Sequence, residues 1–224
     1  YKVVIGLEVH CEVQTNSKNF SSAPNEFTMS PNIHVAPVDL GLPGILPVVN
    51  EEACRKALKT AMALHCESPD EIIFDRKNYF YPDLPKGYQI TQVTKPMGKN
   101  GYLDIKVGEE EKRVYIHQLH LEEDTASLDH YSNYSLIDYN RSGIPLMEIV
   151  TEPCISSAEE AVTFLEDLRD VFLFCEVSEA RSNKGQMRCD VNISLMEEGS
   201  DKLGTKVEMK NINAFNSVKA AIEY

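Results

Sequence analysis

The sequence has no apolar run near the twenty or so residues needed to cross a bilayer, and Tyr1-Lys2-Val3-Val4 carries no secretory signal pattern. Positive charge is scarce: 22 Lys and Arg stand against 35 Asp and Glu, a net charge of −13. Such a balance argues against indiscriminate attraction to nucleic-acid backbones or anionic membranes, while leaving a shaped nucleic-acid contact open. It suits a protein that gathers carboxylates around a cation. None of the six cysteines (Cys11, Cys54, Cys66, Cys154, Cys175, Cys189) forms a CxxC pair. They read as reduced, mostly buried thiols of a cytosol-like compartment, with no disulfide frame or zinc knot. There is no GxSxG elbow, so no serine nucleophile is assignable, and no GxxxxGK[ST] loop, so a nucleotide would not be held in the P-loop manner. Internal repeats and low-complexity tracts are missing too.

What is present is an ordinary globular composition, 42% hydrophobic and 25% charged over 224 residues. That is room for one large domain or two small ones. The chain lacks a starting Met and closes on helix-forming residues, Ser217 to Tyr224, with no stop signal, so a fragment truncated at both ends is expected. The clearest strand is the first. Val3, Ile5, Leu7, Val9, Cys11 and Val13 fall on one face, and Val4, Gly6, Glu8, His10 and Glu12 on the other. From Gln14 to Asn50 the chain reads as irregular. Asn50 then caps a helix running to about Cys66, with Glu51 and Glu52 suiting its positive end. A hairpin is expected from Tyr102–Val107 and Lys112–Leu121, and a capping box at Ser156-Ser157-Ala158-Glu159 opens a second helix. Strands follow around Asp190–Leu195 and Lys206–Met209. Strands in hairpin-like succession with helices between groups predict α+β, mainly antiparallel sheets flanked by a few helices, in place of a doubly wound parallel fold.

The chemistry lies in isolated acids set among apolar residues. Glu8 and His10 share the polar face of the first strand, about 6.5–7 Å apart. Glu123 ends the strand that begins near Tyr115, and Glu148 sits inside Ile144-Pro145-Leu146-Met147-Glu148-Ile149-Val150, where a lone carboxylate is costly unless paired. Asp190 heads Asp190-Val191-Asn192-Ile193-Ser194, and Glu208 lies between Val207 and Met209. Carboxylates repel one another on a sheet face. A hard divalent cation such as Mg²⁺, which takes oxygen ligands, would resolve the repulsion. Each acid taken singly also fits a solvated sheet face, and His117, His120 and His130 read as structural. Arg76, Lys77, Arg141, Arg188 and Lys210 are the bases available to phosphate. Tyr79, Phe80 and Tyr81 suit either base stacking or a core.

Seven blocks occur in order: Gly6-Leu7-Glu8-Val9-His10, Leu42 to Asn50, Phe74 to Gln89, His120-Leu121-Glu122-Glu123-Asp124, Asn140 to Pro153, Met187-Arg188-Cys189-Asp190-Val191-Asn192 and Glu208-Met209-Lys210-Asn211-Ile212-Asn213. Together they resemble the B-subunit family of the aspartyl/glutamyl-tRNA(Asn/Gln) amidotransferases, over essentially the whole chain. The resemblance implies a ligase and makes the chain a single N-terminal catalytic cradle domain, without the helical and tail domains that grip tRNA. ATP and Mg²⁺ would activate the side-chain carboxylate of Glu or Asp on misacylated tRNA(Gln) or tRNA(Asn). Ammonia from an amidase (A) subunit, clamped by a small (C) subunit in a heterotrimer, would then displace the phosphate. Carried over by resemblance, the metal and phosphoryl-transfer positions are Glu8, His10, Glu123, Glu148, Asp190 and Glu208. Arg188, Lys77, Tyr81, Arg141 and Lys210 would handle nucleotide or substrate, and Lys86 the ammonia route. Some members carry a four-cysteine zinc site. The corresponding positions here are Ser21, Ala23, Ala36 and Asp39, so no structural zinc is expected. The resemblance implies bacterial cytosol, with organelle matrices hosting the same family, and no membrane partner. Two rival readings rest on the same residues: a non-catalytic scaffold of the complex, because a chain this acidic should hold tRNA weakly, and a metal-dependent hydrolase.

Overall fold

The computed structural model describes residues 1–224. In chain order the elements are β1 (Lys2–Glu12), α1 (Glu51–Ala63), β2 (Ile73–Asn78), β3 (Tyr88–Lys95), β4 (Gly98–Val107), β5 (Glu110–Glu123) and β6 (Ser127–His130). They continue with β7 (Ser135–Asp138), β8 (Pro145–Thr151), α2 (Ala158–Phe174), β9 (Met187–Met196), β10 (Val207–Ile212) and α3 (Phe215–Glu223). Six strands form one sheet in the order β10-β9-β1-β8-β5-β4, and β2–β3 and β6–β7 are separate two-stranded ribbons. Every pairing is antiparallel, so the α+β expectation holds.

Strand alternation divides the large sheet into two unlike faces. Ile5, Leu7, Val9 and Cys11 of β1, Leu119 and Leu121 of β5, Met147 and Ile149 of β8, and Cys189 and Val191 of β9 point to one side. There they pack against Ala53, Ala57 and Ala61 of α1, Phe164, Leu165, Leu168 and Phe172 of α2, and Val218 of α3. Burying each large side chain in this layer contributes about 1.5–3 kcal/mol. The helices therefore fix the sheet from behind and leave its other face free to carry groups that cost stability. No helix is long and apolar enough to cross a membrane.

The caps follow local rules. Asn50 Oδ1 accepts from the Ala53 amide at 3.2 Å, as expected for α1. At α2 the capping box is displaced by one residue from its expected place. Ser157 is the cap, accepting from the Glu160 amide, and Glu160 reaches back to the Ser156 amide at 2.7 Å. Glu160 wins because it also meets Lys112 at 2.5 Å. Behind α1 the backbone at Leu64–Cys66 presses on β4 so closely that a Cβ at Gly101 would lie 2.5 Å from the Leu64 carbonyl oxygen. The irregular segment after β1 is tied down through Asn19, whose amide donates to Gly143 O at 2.8 Å and whose carbonyl receives the Asn50 amide at 2.7 Å.

At the outer end of β5 the partner strand runs out. β4 pairs only as far as Leu119, and β3 crosses over the exposed edge in its place. Gln92 Oε1 accepts from the Leu121 amide at 2.8 Å, and Gln89 Nε2 donates to Glu123 O at 2.7 Å. This crossing brings the β2–β3 ribbon, and Lys77 with it, to the polar face of the sheet.

Candidate functional site

On the open face, strand register lines up side chains from four neighbouring strands. His10 of β1 is paired with Arg188 of β9 on one side and with Glu148 of β8 on the other, and Glu148 is paired in turn with His120 of β5. Residues directly opposite in an antiparallel pair share a face with Cβ atoms about 4.5–5.5 Å apart. One residue pair further along β1, Glu8 stands opposite Asp190, and Glu208 of β10 is paired with Asn192 beside it. Two clusters result. Single donor atoms of His10, Glu122 and Glu148 all lie within 4.8 Å of one another, and so do those of Glu8, Asp190 and Glu208.

The first cluster is the more enclosed. Glu122 and Glu148 are both buried. Lys77 Nζ lies 3.3 Å from Glu122 Oε2 and 3.5 Å from Glu148 Oε2, and Thr91 Oγ1 donates to Glu122 Oε2 at 2.9 Å. His10 Nε2 is 4.0 Å from Glu148 Oε1, and His120 Nδ1 is 3.4 Å from Glu148 Oε2. Even so, Glu148 Oε2 and both ring nitrogens of His120 are buried without a well-directed hydrogen bond. Orphaned polar atoms of this kind are expensive in a protein interior and call for a partner. The two acids titrate in opposite directions. Burial alone would raise the Glu148 carboxyl, but His120, Lys77 and His10 hold it down at about 2. Burial and the adjacent Glu148 charge push Glu122 up. Two carboxylates forced together settle this way, one ionised and one inclined to keep its proton.

The second cluster is more open. Asn192 Nδ2 donates to Glu8 Oε1 at 2.9 Å, and the Asn211 amide donates to Asp190 Oδ1 at 2.8 Å. The latter contact depends on a register shift between Met209 and Ile212, where Asn211 takes a left-handed φ of 58°. Lys210 Nζ lies 3.4 Å from Glu208 Oε1. Next to Glu8 is a recess of about 260 Å³ floored by Gly6, with Val4, Val150, Ser194 and Lys206 around it. The oxygen-only donors of Glu8, Asp190 and Glu208 match what Mg²⁺ selects, while the first cluster adds one imidazole, a donor that transition ions take readily. The orphaned Glu148 oxygen and the all-oxygen second set both fit a divalent ion.

Other expected site residues fall elsewhere. Glu123 has the register of Leu119 and Leu121, so it leaves the His10–Glu148 face. Its Oε1 accepts from the Ile90 amide at 3.0 Å and is bound by Lys86. Burial pushes the Glu123 carboxyl up, with Lys86 and the Ile90 amide opposing. Arg188 Nη2 donates to Asp124 Oδ2 at 3.0 Å, from a position paired with His10. Arg141 is committed to the main chain, donating to the carbonyls of Thr125 at 2.9 Å and Ala126 at 3.1 Å. Tyr81 is exposed, as are Tyr79 and Phe80, so this aromatic run makes no core. Ser21, Ala23, Ala36 and Asp39 do converge: Asp39 Oδ2 accepts from Ser21 Oγ at 3.1 Å and from the Ala36 amide at 2.8 Å, and pairs with the fully buried Lys18 at 3.4 Å.

Sequence reading missed Glu122, and it took His120 for a structural histidine; strand pairing sets that ring against Glu148, beside the cluster. It also passed over Thr91 and Asp124. The signal for Glu122 and His120 was the alternation in Leu119-His120-Leu121-Glu122, which places the two together on the polar face.

Residues 3–224 match the family described as the GatB/GatE catalytic domain. The chain belongs to that family. Among its relatives, the B subunit of the aspartyl/glutamyl-tRNA(Asn/Gln) amidotransferase from Persephonella marina is 54% identical over 224 residues. The proteins of the same name from Geobacillus thermodenitrificans and Bacillus cytotoxicus are 52% and 51% identical over 225 residues. In each case all of this chain is covered but only 47% of the relative, so the chain spans about half the length of the relatives it matches. In GatB/GatE terms, the clusters described above lie wholly within the catalytic-domain match.

Proposed function

We propose that this chain carries the carboxylate-activating site of a tRNA-dependent amidotransferase of the aspartyl/glutamyl-tRNA(Asn/Gln) type. The observation that carries the reading is the convergence of His10, Glu122 and Glu148, and of Glu8, Asp190 and Glu208, on the one sheet face that no helix covers. In the reaction, a side-chain carboxylate oxygen of Glu or Asp, esterified to tRNA(Gln) or tRNA(Asn), bonds to the γ-phosphorus of ATP. The bond from that phosphorus to the β–γ bridging oxygen breaks, and ADP leaves. Ammonia then attacks the acyl carbon, inorganic phosphate departs with the electron pair, and the nitrogen sheds a proton to leave the amide.

A bound Mg²⁺ would neutralise phosphate charge as it develops. The chain's own residues divide the remaining work. Glu8, Asp190, Glu208, His10, Glu122 and Glu148 would hold divalent ions, with Asn192 and the Asn211 amide fixing the first two acids. Arg188, held by Asp124, would orient a phosphoryl oxygen, and Lys77 would be a second cation. Lys210, beside Glu208, would act at the rim, whereas Arg141 is held by main-chain carbonyls and Tyr81 is exposed. The recess beside Glu8, close to the ~300 Å³ lower bound of small-ligand pockets, suits the base of the nucleotide. The buried Lys86–Glu123 pair would pass ammonia toward the site from the amidase partner, which the small third partner would clamp in place.

The test is the assembled heterotrimer with misacylated tRNA, ATP and glutamine. Glu148→Gln should remove tRNA-dependent ADP formation and amidation while leaving glutamine hydrolysis intact. Undiminished ADP formation in Glu148→Gln would overturn the assignment.

A further inference from the structure

The ammonium of Lys77 touches both acids of the His10–Glu122–Glu148 cluster, the groups whose charge a divalent ion would have to neutralise. It is within 3.5 Å of one carboxylate oxygen of each acid, Glu122 and Glu148. Those carboxylates are nearly closed to solvent, at 3% and 10% side-chain exposure, whereas Lys77 keeps 44%. The lysine therefore reaches in from water with its head, while its stem remains free to withdraw. Its strand, β2, is the outer strand of the β2–β3 ribbon, which is fastened to β5 through β3, and β2 itself has no partner in the six-stranded sheet. Glu148 Oε2 and both nitrogens of His120 lack a directed hydrogen bond despite this ammonium, so a single positive charge leaves the cluster incompletely satisfied.

We propose that Lys77 is an internal competitor for the divalent ion of this cluster: it holds the acids together when the ion is absent and must withdraw for the ion to enter. The proposal rests on the reading of the cluster as a divalent-cation site given under Proposed function. The reason is charge. An ion that took the Oε2 atoms held by Lys77, at the ~2.0–2.1 Å that Mg²⁺ demands, would lie beside the ammonium with no carboxylate between them. Two cations cannot share those oxygens at that range without strong repulsion. Once expelled, the ammonium is left at the mouth of the site, on a flexible four-carbon stem, beside any anion bound there. Metal loading would thus also free a lysine for phosphate.

This role makes a prediction opposite in sign to that of a supporting residue. If Lys77 merely oriented the carboxylates, removing it would weaken metal affinity by about 10–100-fold, as loss of outer-shell partners does. A competitor's removal tightens it, by roughly tenfold or more on the same scale. The experiment is Mn²⁺ titration, followed by electron paramagnetic resonance, of the wild-type chain and of Lys77→Met, Lys77→Arg and Glu148→Gln. The Glu148-dependent signal reports this cluster. We expect Lys77→Met to tighten that signal and Lys77→Arg, which keeps a cation, to leave it near the wild-type value. Lysine acetylation of the wild-type chain, read by mass spectrometry, serves even if Lys77→Met fails to fold, and labelling of Lys77 should rise when Mg²⁺ is added. Weaker or unchanged Mn²⁺ binding in Lys77→Met, or Lys77 labelling that falls or stays level with Mg²⁺, overturns the competitor role alone. A wild-type chain with no Glu148-dependent Mn²⁺ signal overturns the cation-site reading and this proposal with it.

Discussion

Glu12 closes β1 on the same face as Glu8 and His10, and Glu12→Gln isolates what the fold gives up by placing it there. Burial, reinforced by the negative charge of Asp124, raises the Glu12 carboxyl from 4.5 to about 7, even with Arg188 and Arg141 opposing. The arginines fall short because each has other obligations, Arg188 to Asp124 and Arg141 to two backbone carbonyls. A carboxyl raised on folding binds its proton more tightly in the native state, so native stability must fall as pH climbs from 4.5 to about 7. Below that window both states hold the proton and the cost is nil. Above it the cost is complete. At about 1.36 kcal/mol per pKa unit, the shift amounts to about 3 kcal/mol at most. Glutamine keeps the shape and cannot ionise.

The chain carrying Glu12→Gln should therefore match wild type near pH 4 and exceed it by up to about 3 kcal/mol at pH 8. Urea unfolding across that range, in chelator to keep cations out, measures the difference directly. In thermal unfolding, each kcal/mol should appear as about 2–4 °C in Tm for a chain of this size. Other titrating groups, including the Glu122–Glu148 pair, are present in both proteins and cancel. A gap that stays flat with pH, or one that opens toward acid, would refute the reasoning.

The pairing behind the converged loop positions is testable through Lys18→Met. It strands Asp39 as an uncompensated buried charge and should cost about 3–5 kcal/mol in urea unfolding, with most of the loss regained when Asp39→Asn is added. An additive double variant would show that the pair is not a unit. Gly101→Ala should cost about 1–3 kcal/mol by forcing β4 off the Leu64 carbonyl, and an unchanged Tm would show that this approach is not tight.

Much of this arrangement could be read from residue order, and the boundary of what could not is instructive. Alternation in β1 separated Ile5, Leu7, Val9 and Cys11 from Glu8 and His10, and burial follows that division. The same rule applied to β5 would have preferred Glu122 over Glu123 for the open face, since Glu123 shares the phase of Leu119 and Leu121. Two adjacent acids at a strand end hide that phase, and only the neighbouring leucines reveal it. His120 was illegible for another reason: its partner Glu148 lies 28 positions away, and nothing local says that β5 and β8 will be neighbours. Arg141 looked like a phosphate ligand because it precedes an acid in sequence. Its fork is instead consumed by the carbonyls of Thr125 and Ala126, where the chain leaves β5. Lys77 is the reverse case, a base on β2 whose place is set by β3 crossing a sheet edge that β4 abandons at Leu119. Period-two patterns thus identify which face a residue takes. Which faces meet depends on long-range register, and the chemistry of this site is made almost entirely of such meetings.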